Sequence, residues 1–172
     1  MCVCRSGNRV FFITQVSDIP PDEVGQIISL NEDTSEAVVK LDNATTTSHD
    51  TVQVPLDCLE NLPRRFAGTL CKYSTSAIIF KNWKIRYIEV WSNSLTYREE
   101  NSSNYKGHVP ITPTTEIITL IGKPKPPMPH SFGILNNGKI FRLCSDNEQL
   151  VEEMKRAIQD CINDAVMYEG ES

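Results

Sequence analysis

The stretch from Asn82 to Trp91, NWKIRYIEVW, alternates apolar and charged residues along much of its length. Such alternation is typical of a β-strand with one buried and one solvated face. The apolar positions of this alternation are Ile85, Tyr87 and Val90. Because residues two apart lie on the same face of a strand, Lys84 and Arg86 are expected to project together.

Strand patterns of the same kind recur on both sides of this stretch. An Asn-Gly pair at Asn137-Gly138 separates two alternating segments, and this pair is the strongest short signal for a β-hairpin. The second half of the chain therefore predicts seven strands. They lie at 68–73, 84–91, 94–98, 107–111, 116–121, 131–135 and 139–144.

One amphipathic helix is predicted after the last of these strands. Ser145 followed three residues later by Glu148 has the form of a capping box. Apolar residues then recur at helical spacing, at Leu150, Met154, Ile158, Cys161 and Ala165. This pattern predicts a helix over about 146–166 that packs one apolar stripe against the sheet.

The first part of the chain predicts a separate small β module over residues 9–63, after a short polar tail at residues 1–8. Its strand-like segments lie at 10–13, 24–30, 36–41 and around 52–54, with a short helical turn before residue 60. The pattern resembles SH3-like and Tudor-like small β-barrels. Phe11 and Phe12 are its only aromatic residues, so no aromatic cage for methylated lysine is expected.

Composition narrows the class of protein. The chain has 172 residues, 40% hydrophobic and 23% charged, which is close to the globular average. No apolar run is long enough to span a membrane, and the N-terminus does not resemble a secretory signal, so a cytoplasmic protein with reduced cysteines is expected.

No P-loop, GxSxG or HExxH motif occurs, which predicts a non-enzymatic protein. No cysteine or histidine cluster has the spacing of a metal site, and no cofactor is predicted.

The net charge of −5 is unevenly distributed. Residues 1–63 carry 3 basic and 10 acidic residues, residues 64–142 carry 12 basic and 4 acidic, and residues 143–172 carry 2 basic and 8 acidic. A strongly positive middle segment in an acidic protein indicates a local anion-binding face. The alternative is that these charges scatter over a solvated surface.

Several motifs in the same order resemble the pleckstrin homology (PH) domain family. They are GTLCK at 68–72, NWKIRYI at 82–88, LTY at 95–97, KGHVPI at 106–111 and IFRL at 140–143 followed by the helix. The resemblance covers residues 66–166. It implies a mainly β fold, with a seven-stranded barrel or sandwich capped by a C-terminal α-helix. The tryptophan that the family usually has in this helix is replaced here by Met154, which can fill the same gap.

The resemblance also implies a phosphoinositide site. Members that bind these lipids use a basic pattern across the first two strands, matched here by Lys72, Lys84 and Arg86. A tyrosine on the third strand and a basic residue opening the fourth also contact phosphates, and Tyr97 and Lys106 match them. Lysine offers a mobile point charge and arginine a planar fork for such anions. The alternative is a PH fold whose basic residues only decorate the surface.

The loop between the first two of these strands carries both charge and apolar residues. Lys81 could add a further cation to the site. Ile78, Ile79 and Phe80 suit shallow insertion into a membrane surface beside a basic pocket. Alternatively, they extend the second strand or pack on the N-terminal module.

Membrane recruitment could have a second source at the N-terminus. Cys2 and Cys4 are candidates for S-acylation, and the alternative is two free cysteines on a frayed end. The predicted function is a peripheral-membrane signalling adaptor that binds a phosphoinositide or another anionic lipid. A protein-interaction scaffold, in which the PH fold and the N-terminal barrel bind a peptide or partner, is the main alternative.

A chromatin or RNA reader that acts through the N-terminal barrel is a third, weaker alternative. Nucleic acid is a less favoured partner for the basic β face, because aromatic residues are not interleaved with the basic ones as single-strand binding requires. The alternatives differ in whether Lys72, Lys84, Arg86, Tyr97 and Lys106 converge on one open pocket.

Overall fold

The computed structural model describes residues 9–12, 16, 19, 24–42, 50–74, 82–102 and 105–170, with side chains as far as residue 167. The chain divides into two units, one ending at Pro63 and the other beginning at Arg64. Within the described ranges, no helix combines the length and the apolar character needed to cross a bilayer.

The first unit contains a five-stranded antiparallel sheet. Its strands are β1 (Arg9–Phe12), β2 (Val24–Asn31), β3 (Glu36–Leu41), β4 (Thr51–Pro55) and β5 (Leu59–Asn61), in the order β4-β3-β2-β1-β5. A 3-10 turn at Leu56–Cys58 links β4 to β5. Fully buried side chains such as Phe12 and Ile27 form its core. The pairings among its described residues form an open sheet.

The second unit contains the seven strands and the single helix that the sequence predicts. The strands are β6 (Arg64–Tyr73), β7 (Trp83–Trp91), β8 (Ser94–Arg98), β9 (Tyr105–Pro110), β10 (Glu116–Ile118), β11 (His130–Asn136) and β12 (Lys139–Ser145). They form one antiparallel sheet in the order β10-β11-β12-β6-β7-β8-β9, and the helix α1 (Glu148–Gly170) follows. The mainly β fold with a C-terminal helix is therefore confirmed.

The predicted hairpin lies between β11 and β12. Asn136 pairs with Lys139, which leaves Asn137 and Gly138 as a two-residue turn. Their φ angles are 48° and 73°. Positive φ at both central positions is the geometry of a type I′ turn, which asparagine and glycine adopt with little strain.

The helix closes the core of the second unit with its apolar stripe. Val151, Met154, Ile158 and Cys161 are buried in one cluster with residues from the sheet, among them Leu70. Met154 is completely buried. It therefore fills a core position, as expected for the residue that replaces the tryptophan usual in this helix.

The predicted capping box is wrong, because the helix begins two residues later than expected. The Oδ1 atom of Asn147 accepts a hydrogen bond from the backbone N–H of Leu150 at 3.1 Å. Ser145 Oγ accepts one from the N–H of Asn147 at 3.1 Å. Asn147 is therefore the N-cap, Glu148 is the first helical residue, and Ser145 stabilises the approach to the cap.

The core face of β7 is the face that carries Lys84 and Arg86. Ile88 and Val90 are fully buried, whereas Ile85 is 46% exposed. The core face thus carries residues 84, 86, 88 and 90, so Lys84 and Arg86 continue the line of core residues toward one end of the strand. Apolar residues occur on both faces of this strand, so periodicity alone does not select the core face.

Candidate functional site

A basic cluster lies on the core face of the second unit's sheet, near the C-terminal end of β6 and the N-terminal end of β7. Lys72 on β6 pairs directly with Lys84 on β7, and Leu70 pairs with Arg86. Side chains paired in this way project from the same face of an antiparallel sheet. Leu70 is 1% exposed and belongs to the core. The three cations therefore share the core face, just beyond its last apolar layer.

Lys72 forms the inner part of this cluster, with 9% of its surface exposed. Its Nζ atom lies 4.6 Å from the centre of the Tyr97 ring and 4.8 Å from that of Phe141. The same atom donates a hydrogen bond to the carbonyl of Tyr73 at 3.3 Å. Burial lowers the pKa of Lys72, and the nearby charges of Arg86 and Lys84 lower it further.

Tyr97 on β8 forms the aromatic floor of the site. Its ring centre is 5.4 Å from that of Phe141 on β12. Tyr97 pairs with Gly107 on β9, where a Cβ atom would come within 2.7 Å of the Tyr97 hydroxyl oxygen. Burial raises the pKa of Tyr97, and Arg86 opposes this effect. The missing side chain at Gly107 allows the ring to lie across β9.

Arg86 and Lys106 meet at an acidic residue that the sequence analysis did not single out. Glu99 Oε1 is 3.2 Å from Lys106 Nζ and 4.0 Å from Arg86 Nη2. Arg86 also donates a hydrogen bond to the carbonyl of Ile85 at 2.7 Å. The register between β8 and β9 shifts after Tyr97, so the spacing of residues along the sequence does not indicate where Glu99 lies.

Of the remaining predicted site residues, the structure describes only Lys84. Lys84 is exposed, and within the described part of the chain it makes no ion pair. Lys81 and the predicted insertion residues Ile78, Ile79 and Phe80 lie outside the described residues. The candidate acylation sites also lie outside them, namely Cys2 and Cys4.

Part of the positive charge of the middle segment lies on the opposite face of the sheet. Arg64 Nη1 donates a hydrogen bond to Glu89 Oε1 at 2.8 Å, and Tyr105 donates its hydroxyl hydrogen to the other oxygen of Glu89. Burial and Glu89 raise the pKa of Tyr105. Arg98 lies 4.2 Å over the Tyr87 ring. These groups stabilise the outer face, so the charge of this segment divides between a structural network and the basic cluster.

Comparisons with known proteins address the fold. No family model matches the sequence, and no curated protein matches it. Among solved structures, the PH domain of the human pleckstrin homology domain-containing protein family A member 5 is 20% identical, with a TM-score of 0.49. The match covers 67% of this chain and 87% of that one. Residues 64–170 combine a seven-stranded antiparallel sheet with one C-terminal helix, an arrangement consistent with a PH-like fold. At this identity the similarity concerns the fold alone.

The PH-like unit brings together the five positions that the sequence analysis matched to a ligand site. Lys72, Lys84 and Arg86 lie on the core face of β6 and β7, and Tyr97 contacts Lys72 from β8. Lys106 joins them through Glu99. This arrangement places several positively charged side chains at one end of the sheet.

Proposed function

We propose that the PH-like unit binds the headgroup of a phosphoinositide, or of another anionic membrane lipid. The protein would then be a non-enzymatic adaptor that is recruited from the cytoplasm to a membrane surface. The observation that carries this proposal is the direct pairing of Lys72 with Lys84, two residues along the strand from Arg86. Three cations on one face of two adjacent strands form a compact site of positive charge.

A multivalent anion is the ligand that such a cluster would stabilise most. Burial lowers the pKa of Lys72 most, and the charges of Arg86 and Lys84 lower it further, so both of these cations repel Lys72 in the free protein. An inositol phosphate places several negative charges in a small volume, and its binding would relieve this repulsion. The lysines would act as point charges and Arg86 as a bidentate donor.

The loop residues outside the described part of the chain would act at the membrane itself. On this proposal Lys81 adds a cation, while Ile78, Ile79 and Phe80 insert shallowly beside the headgroup. Acylation of the N-terminal cysteines would add a second anchor, since one weak contact gives only marginal attachment. A protein partner for the N-terminal unit remains a prediction from its SH3-like pattern.

The decisive experiment replaces Lys84 and Arg86 together with alanine. Each charge-assisted contact contributes about 1.5–3 kcal/mol, so losing two should weaken binding to phosphoinositide vesicles by roughly a hundredfold or more. The matched control replaces the exposed Lys123 and Lys125 with alanine, which removes the same charge from a loop between β10 and β11. The control should bind within about twofold of the wild type, because distant surface charges are screened.

The fold of both double variants is checked by circular dichroism and thermal unfolding. If the Lys84→Ala/Arg86→Ala protein binds anionic vesicles as the wild type does, the headgroup proposal is wrong. The scaffold alternative would then take its place. If both double variants lose binding equally, the interaction depends on net charge and not on this site.

A further inference from the structure

The basic site contains an acidic side chain, Glu99, which lies beside two of its cations. The carboxylate of Glu99 lies 3.2 Å from Lys106 Nζ and 4.0 Å from Arg86 Nη2. The side chain of Glu99 is 53% exposed and that of Lys106 is 51% exposed. In the free protein, the carboxylate therefore provides Lys106 and Arg86 with the negative partner that a phosphate would otherwise supply.

The cations of the site fall into two sets. Lys72 and Lys84 pair across β6 and β7, and in the described ranges neither has a carboxylate at ion-pair distance. Lys106 and Arg86 share Glu99 on the β8–β9 side of the site. The two sets differ in the charge that an incoming anion would meet.

We infer that Glu99 is a competitor built into the site, which lowers its affinity for anions and sets its selectivity by phosphate number. This inference rests on the function proposed above. A ligand with one phosphate can bind beside Lys72 and Lys84 without approaching the carboxylate. A ligand with several phosphates must place one near Lys106 and Arg86, where it has to displace Glu99 or bind against its repulsion.

The exposure of the Glu99–Lys106 pair limits the size of this effect. Ion pairs between exposed side chains are weak, because water and salt screen them. A polyphosphate can therefore displace the carboxylate, so Glu99 tunes the affinity without blocking the site. Its removal should strengthen binding of inositol trisphosphate by about three- to fivefold.

The test compares Glu99→Gln with Glu100→Gln. Both substitutions remove one negative charge from neighbouring exposed residues. Glu100 contacts Thr69 Oγ1 at 3.3 Å, and in the described part of the chain it forms no ion pair. Titration calorimetry with soluble inositol monophosphate and inositol trisphosphate measures the site without a membrane. Binding to phosphoinositide vesicles as well as to soluble inositol phosphates identifies a lipid headgroup as the source of the anion, whereas binding to the soluble compounds alone identifies a free inositol phosphate. Phosphatidylserine vesicles control for membrane charge.

Support for the inference requires that Glu99→Gln bind inositol trisphosphate at least threefold more tightly than Glu100→Gln does. The gain for inositol monophosphate should be smaller. If the two variants bind the trisphosphate equally, the inference is overturned, while the proposed function stands as long as the wild type binds and Lys84→Ala/Arg86→Ala does not. If no variant binds any inositol phosphate, the inference and the headgroup proposal both fail.

Lys106 provides a second, independent readout. If Glu99 already partners Lys106 in the free protein, Lys106→Ala should cost little affinity in the wild type and more in the Glu99→Gln background. This non-additivity is the signature of a direct interaction between the two side chains. Equal losses in the two backgrounds would overturn the competitor role even if Glu99→Gln binds more tightly, because the gain would then come from net charge alone.

Discussion

The ammonium group of Lys72 lies 4.6 Å from the centre of the Tyr97 ring. A ring face attracts a cation through its quadrupole, but it does not replace the water that burial removes from a lysine. Burial therefore destabilises the protonated form of Lys72 and is the largest cause of its lowered pKa. Its protonation should respond both to pH and to a bound anion.

Raising the pH should weaken the binding of inositol trisphosphate before an ordinary lysine would lose its proton. The pKa of Lys72 is lowered from the usual 10.5 by burial and by the charges of Arg86 and Lys84. The contribution of Lys72 to the binding free energy should therefore be lost at pH values below 10.5. Lys72→Arg, which stays charged throughout, should hold its affinity to higher pH. A pH series in titration calorimetry measures both proteins, and identical profiles would contradict the role of Lys72.

The same shift predicts the direction in which stability changes with pH. The unfolded chain keeps the proton on Lys72 up to about 10.5, whereas the folded protein releases it earlier. Between these two values the unfolded state binds more protons, so the free energy of unfolding should rise with pH. Lys72→Met should reduce this rise in urea unfolding curves, and an unchanged slope would show that Lys72 titrates normally.

Replacing Ile79 and Phe80 together with serine should weaken binding to bilayers and leave binding to soluble inositol phosphates unchanged. Only the bilayer offers an apolar phase, and each buried methylene contributes about 0.8 kcal/mol. The expected loss on phosphoinositide vesicles is about tenfold or more. Vesicle sedimentation and calorimetry measured on the same preparation separate the two effects. Equal losses in both assays would mean that the residues support the fold or the pocket.

Asn147→Ala should lower the free energy of unfolding by about 1 kcal/mol, the usual contribution of an N-cap side chain. Asn147→Asp should retain most of the stability, since aspartate caps as well as asparagine does. Glu148→Gln should change the stability by less than about 0.5 kcal/mol. Denaturant unfolding of the three variants measures these differences. A large loss for Glu148→Gln would favour the capping box that the sequence predicts.

The strand pattern of the second unit could be predicted because each local signal agreed with its neighbours. The Asn137-Gly138 turn set one hairpin, and the position of Lys84 two residues before Arg86 put both on one face. The helix start was harder to predict, since Ser145, Asp146 and Asn147 are all good capping residues. The hydrogen bond to the Leu150 N–H selects the third of them.

The inner face of β7 could not be read from its own residues. Ile85 and Tyr87 on one face compete with Ile88 and Val90 on the other, and the choice depends on packing against Leu70 and the helix. Glu99 was missed for a related reason. The register between β8 and β9 shifts after Tyr97, and this irregularity is not visible in the sequence.

The geometry of the basic site also depends on Gly107, a residue that carries no charge. Its missing side chain provides the space for the Tyr97 hydroxyl, because a Cβ atom there would lie 2.7 Å from that oxygen. A single added methyl group would force the ring to move, and Lys72 would lose the surface on which its ammonium group rests. A descendant of this protein could therefore lose the geometry of the basic site while keeping every basic residue in it.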